Sequence, residues 1–336
     1  MSGHSALAGM RGSVFLADLG AGDRRPWRIA LAIGGGIVLG LAAAFAALLV
    51  VLNLYLLFTG RADQGMEGIG RAALLLDSAN GRQLGPSILM MAVPAATNGA
   101  LVLAFVALAA VLSHHPLMAY VTAAPTVRWR LLVAGLALSV VVLAPLAVVD
   151  RLTSPGGGGL PLLMVSPVPL GRAAYGLAAV LLLVPAAAAE ELFFRGWMLR
   201  QLAAFSRRPT FLILVTAIAF SAAHVSFSQG HVDLSLGAFL TRAIMGAGFA
   251  YMTLRLGGIE FSTGVHAANN ILIVLLIEPL TLKTAAAPTD LTPGSLIEDV
   301  ILVAGYVLIT EAVARWPALR EWAGVRPQEI SATATA

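Results

Sequence analysis

The chain has 336 residues, 59% of them hydrophobic and only 11% charged, with a mean hydropathy of +0.88. Soluble domains carry about a quarter charged residues, so a soluble globular enzyme is excluded and an all-α, polytopic integral membrane protein is expected. The excess of 21 Lys+Arg over 17 Asp+Glu is then read as basic cytoplasmic loops and not as a nucleic-acid surface. With no cysteine present, disulfides, thiolate metal sites and a cysteine nucleophile are excluded together.

Residues 1–28 are polar and Gly-rich and form a cytoplasmic N-terminal segment. The first apolar run begins at Ile29 and is too long for a signal-peptide core, so it is read as an uncleaved span. Eight transmembrane helices are predicted in all, at 29–58, 87–113, 131–149, 173–195, 210–228, 234–254, 261–281 and 297–315. The third, at 19 residues, is just long enough, since about 20 residues cross the hydrocarbon core. Breakers separate them: "TGRADQG", "HHPL", "TSPGGGGLP", "SRRPT", "LRLGGIE" and "AAAPTDLTPG". Three N-terminal helices with their loops fill 29–171, four helices form a core at 172–281, and the last helix with a cytoplasmic tail fills 282–336. The Gly run lacks the Gly-Lys-Ser/Thr ending of a phosphate loop, and the tail "EISATATA" is expected to be disordered.

Positive charge sets the orientation. With the N-terminus inside, the inner segments hold Arg11, Arg24, Arg25, Arg28, Arg128, Arg130, Arg200, Arg207, Arg208, Arg255, Arg315, Arg320 and Arg326. The outer ones hold Arg61, Arg71, Arg82, Arg151, Arg172 and Lys283. Both termini are therefore expected in the cytoplasm, in the plasma or inner membrane if the source is prokaryotic. Arg195 and Arg242 are left over, within or at the ends of spans.

A charged side chain at the centre of a span costs about 2.5–3.5 kcal/mol on insertion scales, so the spans that carry such groups are informative. The first three carry none. Asn53 and Asn98 are expected to make helix–helix hydrogen bonds. The fourth holds Glu190, Glu191 and Arg195, the fifth His224, the sixth Arg242, and the seventh His266, Asn269 and Asn270. The eighth holds Glu311, while Glu278, Glu298 and Asp299 sit at span ends and are read as solvated. Of six histidines, His224 and His266 alone fall inside spans.

Helical spacing separates the two glutamates. Glu191 and Arg195 are four apart and can pair on one face. Glu190 is turned about 100° away, toward Phe193, Phe194 and Trp197, a setting suited to a general base. His266 and Asn270 share a face on their own helix. A carboxylate, two imidazoles and an amide suit water activation at a carbonyl. Two His and a Glu are also a zinc set with room for water, although His-Glu-x-x-His is absent.

Together, Glu-Glu-x-x-x-Arg at 190–195, Phe-x-x-x-His at 220–224 and His-x-x-x-Asn at 266–270 resemble the CAAX-protease and bacteriocin-processing (CPBP, or Abi) family of intramembrane proteases. The resemblance spans residues 172–281. It implies eight helices around an active site within the bilayer, cleaving a peptide bond of a membrane-associated protein or peptide. Glu190 would activate water, with His224 assisting it or orienting the water. His266 and Asn270 would stabilise the oxyanion, while Glu191 and Arg195 hold the helix geometry. The family is often called a metalloprotease. A divalent metal such as zinc would sit on Glu190, His224 and His266, and a metal-free glutamate mechanism is preferred. The competing readings are a non-proteolytic immunity or partner-binding protein of the same fold and a proton-coupled transporter. The transporter is disfavoured by the missing internal repeat and by ionisable groups confined to the second half.

Overall fold

A computed structural model describes residues 6–78, 83–153, 160–224, 226–228, 231–233, 236–280 and 293–326. The Gly run at 156–159, Arg82, Lys283, the breaker at 285–292 and the C-terminal tail lie outside them. Eight long helices stand where spans are predicted, among the described residues: α1 (Pro26–Phe58), α2 (Leu84–Ser113), α3 (Trp129–Thr153), α4 (Pro169–Glu191, continuing to Ala203), α5 (Pro209–Ala222), α6 (Leu236–Leu256), α7 (Glu260–Leu272) and α8 (Pro293–Arg315). Five are long and apolar enough to cross a membrane: α1, α2, α3, α4 and α7 with its extension to Ile277. Val38, Phe45, Val141, Leu146 and Leu181 point outward and are exposed. A row of large apolar side chains on helix exteriors suits lipid and not water. The chain is a polytopic helical membrane protein.

Helix ends follow local chemistry. Proline takes the first position of α1, α4 and α5, where its fixed φ suits the helix and its missing N–H costs nothing. At the end of α2, His114 adopts φ 60°. The His114 and His115 N–H groups bond back to Val111 and Ala110 carbonyls, and Pro116 prevents continuation.

Several boundaries depart from the sequence reading. A helix at Gly65–Ser78 occupies a stretch read as loop. The fourth span runs on past Arg195 to Ala203 because a π-helical segment, Leu192–Met198, carries it through. The fifth stops at Ala222 after 14 residues, about 21 Å of rise against a hydrocarbon core of about 30 Å. There the Ser221 hydroxyl donates to the Phe239 carbonyl, and Ser226–Ser228 pairs antiparallel with His231–Asp233. Polar side chains that bond locally compete with helix continuation. Asn53 donates to Leu49 O in its own helix, and Asn98 is exposed, so neither makes the expected bond between helices. Glu311, within α8, accepts from Tyr251, Arg255 and Arg315.

Helix α7 is the centre of the bundle, packed on α3, α4 and α6, with every residue from Glu260 to Ala268 buried. Small residues allow this. A Cβ on Gly264 would overlap the Leu132 carbonyl, and one on Gly135 would lie against the Phe261 carbonyl; close backbone approach of this kind drives helix association in lipid. Gly264→Val is expected to cost about 3 kcal/mol by overpacking and to abolish the monodisperse detergent-solubilised protein. Gly99→Ala, with nothing within 4 Å of the added Cβ, should not; equal behaviour in size exclusion would refute the packing account.

The N-terminal segment is not a solvated arm. Met10, Phe15 and Leu16 are fully buried, and the Ser13 hydroxyl donates to Leu254 O at 2.6 Å. Arg200, expected in a cytoplasmic loop, is a buried residue of α4. It donates to the Phe15 carbonyl and to both Asp18 oxygens. Arg207 reaches Leu16 O, and His115 meets Asp23. Arg128 pairs with buried Glu260 at 2.6 Å. The N-terminal segment, the α2–α3 loop, the end of α4 and the α6–α7 turn therefore share one face of the bundle.

Candidate active site

The two adjacent glutamates close the α-helical part of α4. Pro185 lies five residues upstream, and the π segment follows at once, with Leu199 N–H bonded to Phe194 O. π-bulges recur at functional sites because one extra residue per turn re-aims the side chains. Gly196 lets this segment touch the Tyr120 carbonyl, which a Cβ would overlap. Glu191 and Arg195 pair at 2.9 Å with both side chains fully buried, as spacing alone implies. Arg195 also donates to Gly246 O at 3.0 Å and stands over the rings of Phe220 and Phe249.

Glu190 points to a different set of partners. Its Oε2 lies 3.6 Å from His224 Nε2 and 3.6 Å from His266 Nε2. That oxygen is buried and has no hydrogen-bond partner among the described residues. His224 sits in the turn after α5, its Nδ1 2.8 Å from the Phe220 carbonyl. His266 Nδ1 is 3.0 Å from Glu191 Oε1, and its ring stacks on Phe249 at 5.0 Å. Asn270, one turn beyond His266 on α7, is partly buried, as is Asn269. Residues from three helical segments, separated by up to 76 positions in the chain, thus meet at one carboxylate oxygen. Arg242, left over in the sequence, has one long hydrogen bond among the described residues, to His224 O at 3.4 Å.

Residues 172–272 match the family described as type II CAAX prenyl endopeptidase, Rce1-like. This stretch contains all three motifs. The chain is also 30% identical over 143 residues to a protein of Bacillus subtilis (strain 168) described as uncharacterized protein YyaK. That alignment covers 42% of this chain and 48% of the relative, so the chain spans about half the length of the curated protein it matches. No solved structure matches.

Zinc needs its ligand atoms at about 2.0–2.3 Å around one point. Among the described residues no three His, Cys, Asp or Glu side chains converge closely enough to hold a metal ion. Asn270 supplies an amide where a further ligand would be expected. Glu190 Oε2 stands 3.6 Å from each Nε2, a little wider than the roughly 3.3 Å between neighbouring ligand atoms of a tetrahedral zinc.

Four contacts of the candidate site were not readable from the sequence: Glu191 on His266, the Phe220 carbonyl on His224, Phe249 under the imidazole, and Gly246 behind Arg195. Of these, the Phe220 carbonyl alone left a signal, since His224 lies four residues on and can reach back to it.

Proposed function

We propose that the chain is an intramembrane endopeptidase that hydrolyses a peptide bond of a membrane-associated protein or peptide. The observation that carries this reading is Glu190 Oε2, buried and unbonded, with an imidazole Nε2 at 3.6 Å on two sides. A carboxylate in that position can accept a proton from water. The water oxygen then adds to the substrate carbonyl carbon, the C=O π pair moves onto the carbonyl oxygen, and the abstracted proton rests on Glu190. His224 orients the water. His266 and Asn270 donate to the oxyanion, a contribution usually worth several kcal/mol. Collapse of the tetrahedral intermediate breaks the C–N bond, and the Glu190 proton passes to the leaving amine. The test is a proteomic comparison of membranes carrying wild-type protein or Glu190→Gln. Precursors should accumulate in the variant; identical peptide profiles would contradict the proposal.

The face that carries the N-terminal segment is proposed to be cytoplasmic, on the Lys/Arg bias. Reporter fusions after residues 80, 160 and 290 are then expected to read as external. A cytoplasmic readout from any one of them breaks the eight-span topology.

A further inference from the structure

Arg242 is an intramembrane cation that the proposed reaction does not use. It follows the start of α6, Leu236, by six residues, about 9 Å along the helix. Two bonds bring this part of α6 to the site. The Ser221 hydroxyl donates to the Phe239 carbonyl at 2.6 Å, docking the end of α5 one turn before Arg242. Arg242 Nη1 then donates to the His224 carbonyl at 3.4 Å. The neighbouring Thr241 donates to Asp299 of α8 at 2.7 Å. Consecutive helical residues are turned about 100° apart, so the face that meets Asp299 is not the face of Arg242.

Among the described residues, Arg195 is paired with Glu191 and Arg255 with Glu311, while no carboxylate pairs with Arg242. A cap on the last carbonyl of the α5 turn would occupy one of its five N–H donors, through a long bond. The rest of the half-buried guanidinium suits an anion, since it takes a carboxylate through two parallel bonds. His224 sets the distance to the reacting centre. Its carbonyl accepts from Arg242, and its Nε2 stands 3.6 Å from Glu190 Oε2. Guanidinium and general base are one histidine residue apart, a gap that about four residues of extended peptide span at about 3.3 Å each.

The structure assigns to Arg242 the recognition of a substrate carboxylate within about four residues of the scissile bond. That carboxylate is the free C-terminus of the peptide or an Asp or Glu side chain. The assignment rests on the peptidase reading for its place in cleavage, but not for binding.

The probes are three forms of one prenylated CAAX-type peptide: the free acid, its C-terminal amide, and the amide with Asp two positions after the scissile bond. Binding is read by fluorescence anisotropy in phosphatidylcholine nanodiscs, on Glu190→Gln protein so that no probe is consumed, and cleavage is read on the wild type. The acid or the Asp peptide should bind about 10–100-fold tighter than the plain amide, the loss expected for a charged hydrogen-bonded pair. Which of the two does so identifies the source of the carboxylate. Adding Arg242→Gln or Arg242→Met should remove the preference and leave the amide's affinity unchanged, which also shows an intact fold; Arg242→Lys should keep part of it. A preference that survives both neutral variants overturns the assignment. So does equal affinity for all three peptides, or binding of none, with Arg242 in place, a comparison that needs no Arg242 variant to fold. A clear preference without cleavage by the wild type counts against the peptidase reading instead, and the role of Arg242 stands.

Discussion

Glu190→Gln is expected to leave the chain folded and abundant in the membrane while hydrolysis falls to background. The substitution keeps shape, and Glu190 Oε2 makes no hydrogen bond whose loss would be felt. What it removes is the capacity to take a proton from water, worth about 10²–10⁴ in rate for a general base. Glu191→Gln is the contrast. It leaves the buried Arg195 guanidinium without its counter-charge, and breaking a buried pair costs about 3–5 kcal/mol. Thermal stability and membrane abundance should drop first, with residual turnover per folded molecule. Protein yield by immunoblot and cleavage per folded molecule separate the two. A stable, inactive Glu191→Gln beside an active Glu190→Gln would reverse the assignment.

Asn270→Ala is expected to keep peptide binding and to lower turnover by about 10²–10³, the cost of one oxyanion donor. An amide is a good donor to a developing oxyanion and a poor zinc ligand, so this residue bears on the metal as well. We propose that the purified protein keeps its activity after exhaustive chelation. The argument is the donor set: among the described residues no group of three His, Cys, Asp or Glu side chains is placed to hold a metal ion, and both imidazoles are turned to a carboxylate by bonds on their far nitrogens. Elemental analysis with one zinc per active chain, lost together with activity in His266→Ala, would overturn the metal-free scheme.

Much of the site was legible because helical period is a short-range rule. Residues four apart share a face, which is enough to pair Glu191 with Arg195 and to part Glu190 from both. It is not enough to bring α4, α5 and α7 together. Axial depth along separate helices is a weak guide: Glu190 lies about 15 Å from Arg200 and His266 about 9 Å from Glu260. The π segment carries α4 beyond Arg195 and α5 stops early, so helical rise alone does not fix a common depth.

The packing of the N-terminal segment was not legible for a related reason. Its Gly and Arg content gives no sign that Met10, Phe15 and Leu16 are buried, with the Phe15 and Leu16 carbonyls accepting from Arg200 and Arg207. Composition does not reveal that a main-chain oxygen will be the partner of a distant guanidinium.

By itself, the sequence determined that this chain lives in a bilayer, where its apolar runs lie, and which few ionisable groups are too costly there to be idle. Those follow from transfer energetics and from the 3.6-residue period. The tertiary structure alone decided that His266 rests on Glu191, that His224 hangs from a turn on the Phe220 carbonyl, and that both face Glu190. The contacts with Glu190 and Glu191 cross 34 to 76 residues of chain. They depend on how closely helices approach, and at the α3–α7 contact Gly135 and Gly264 allow that approach through the absence of a single carbon atom.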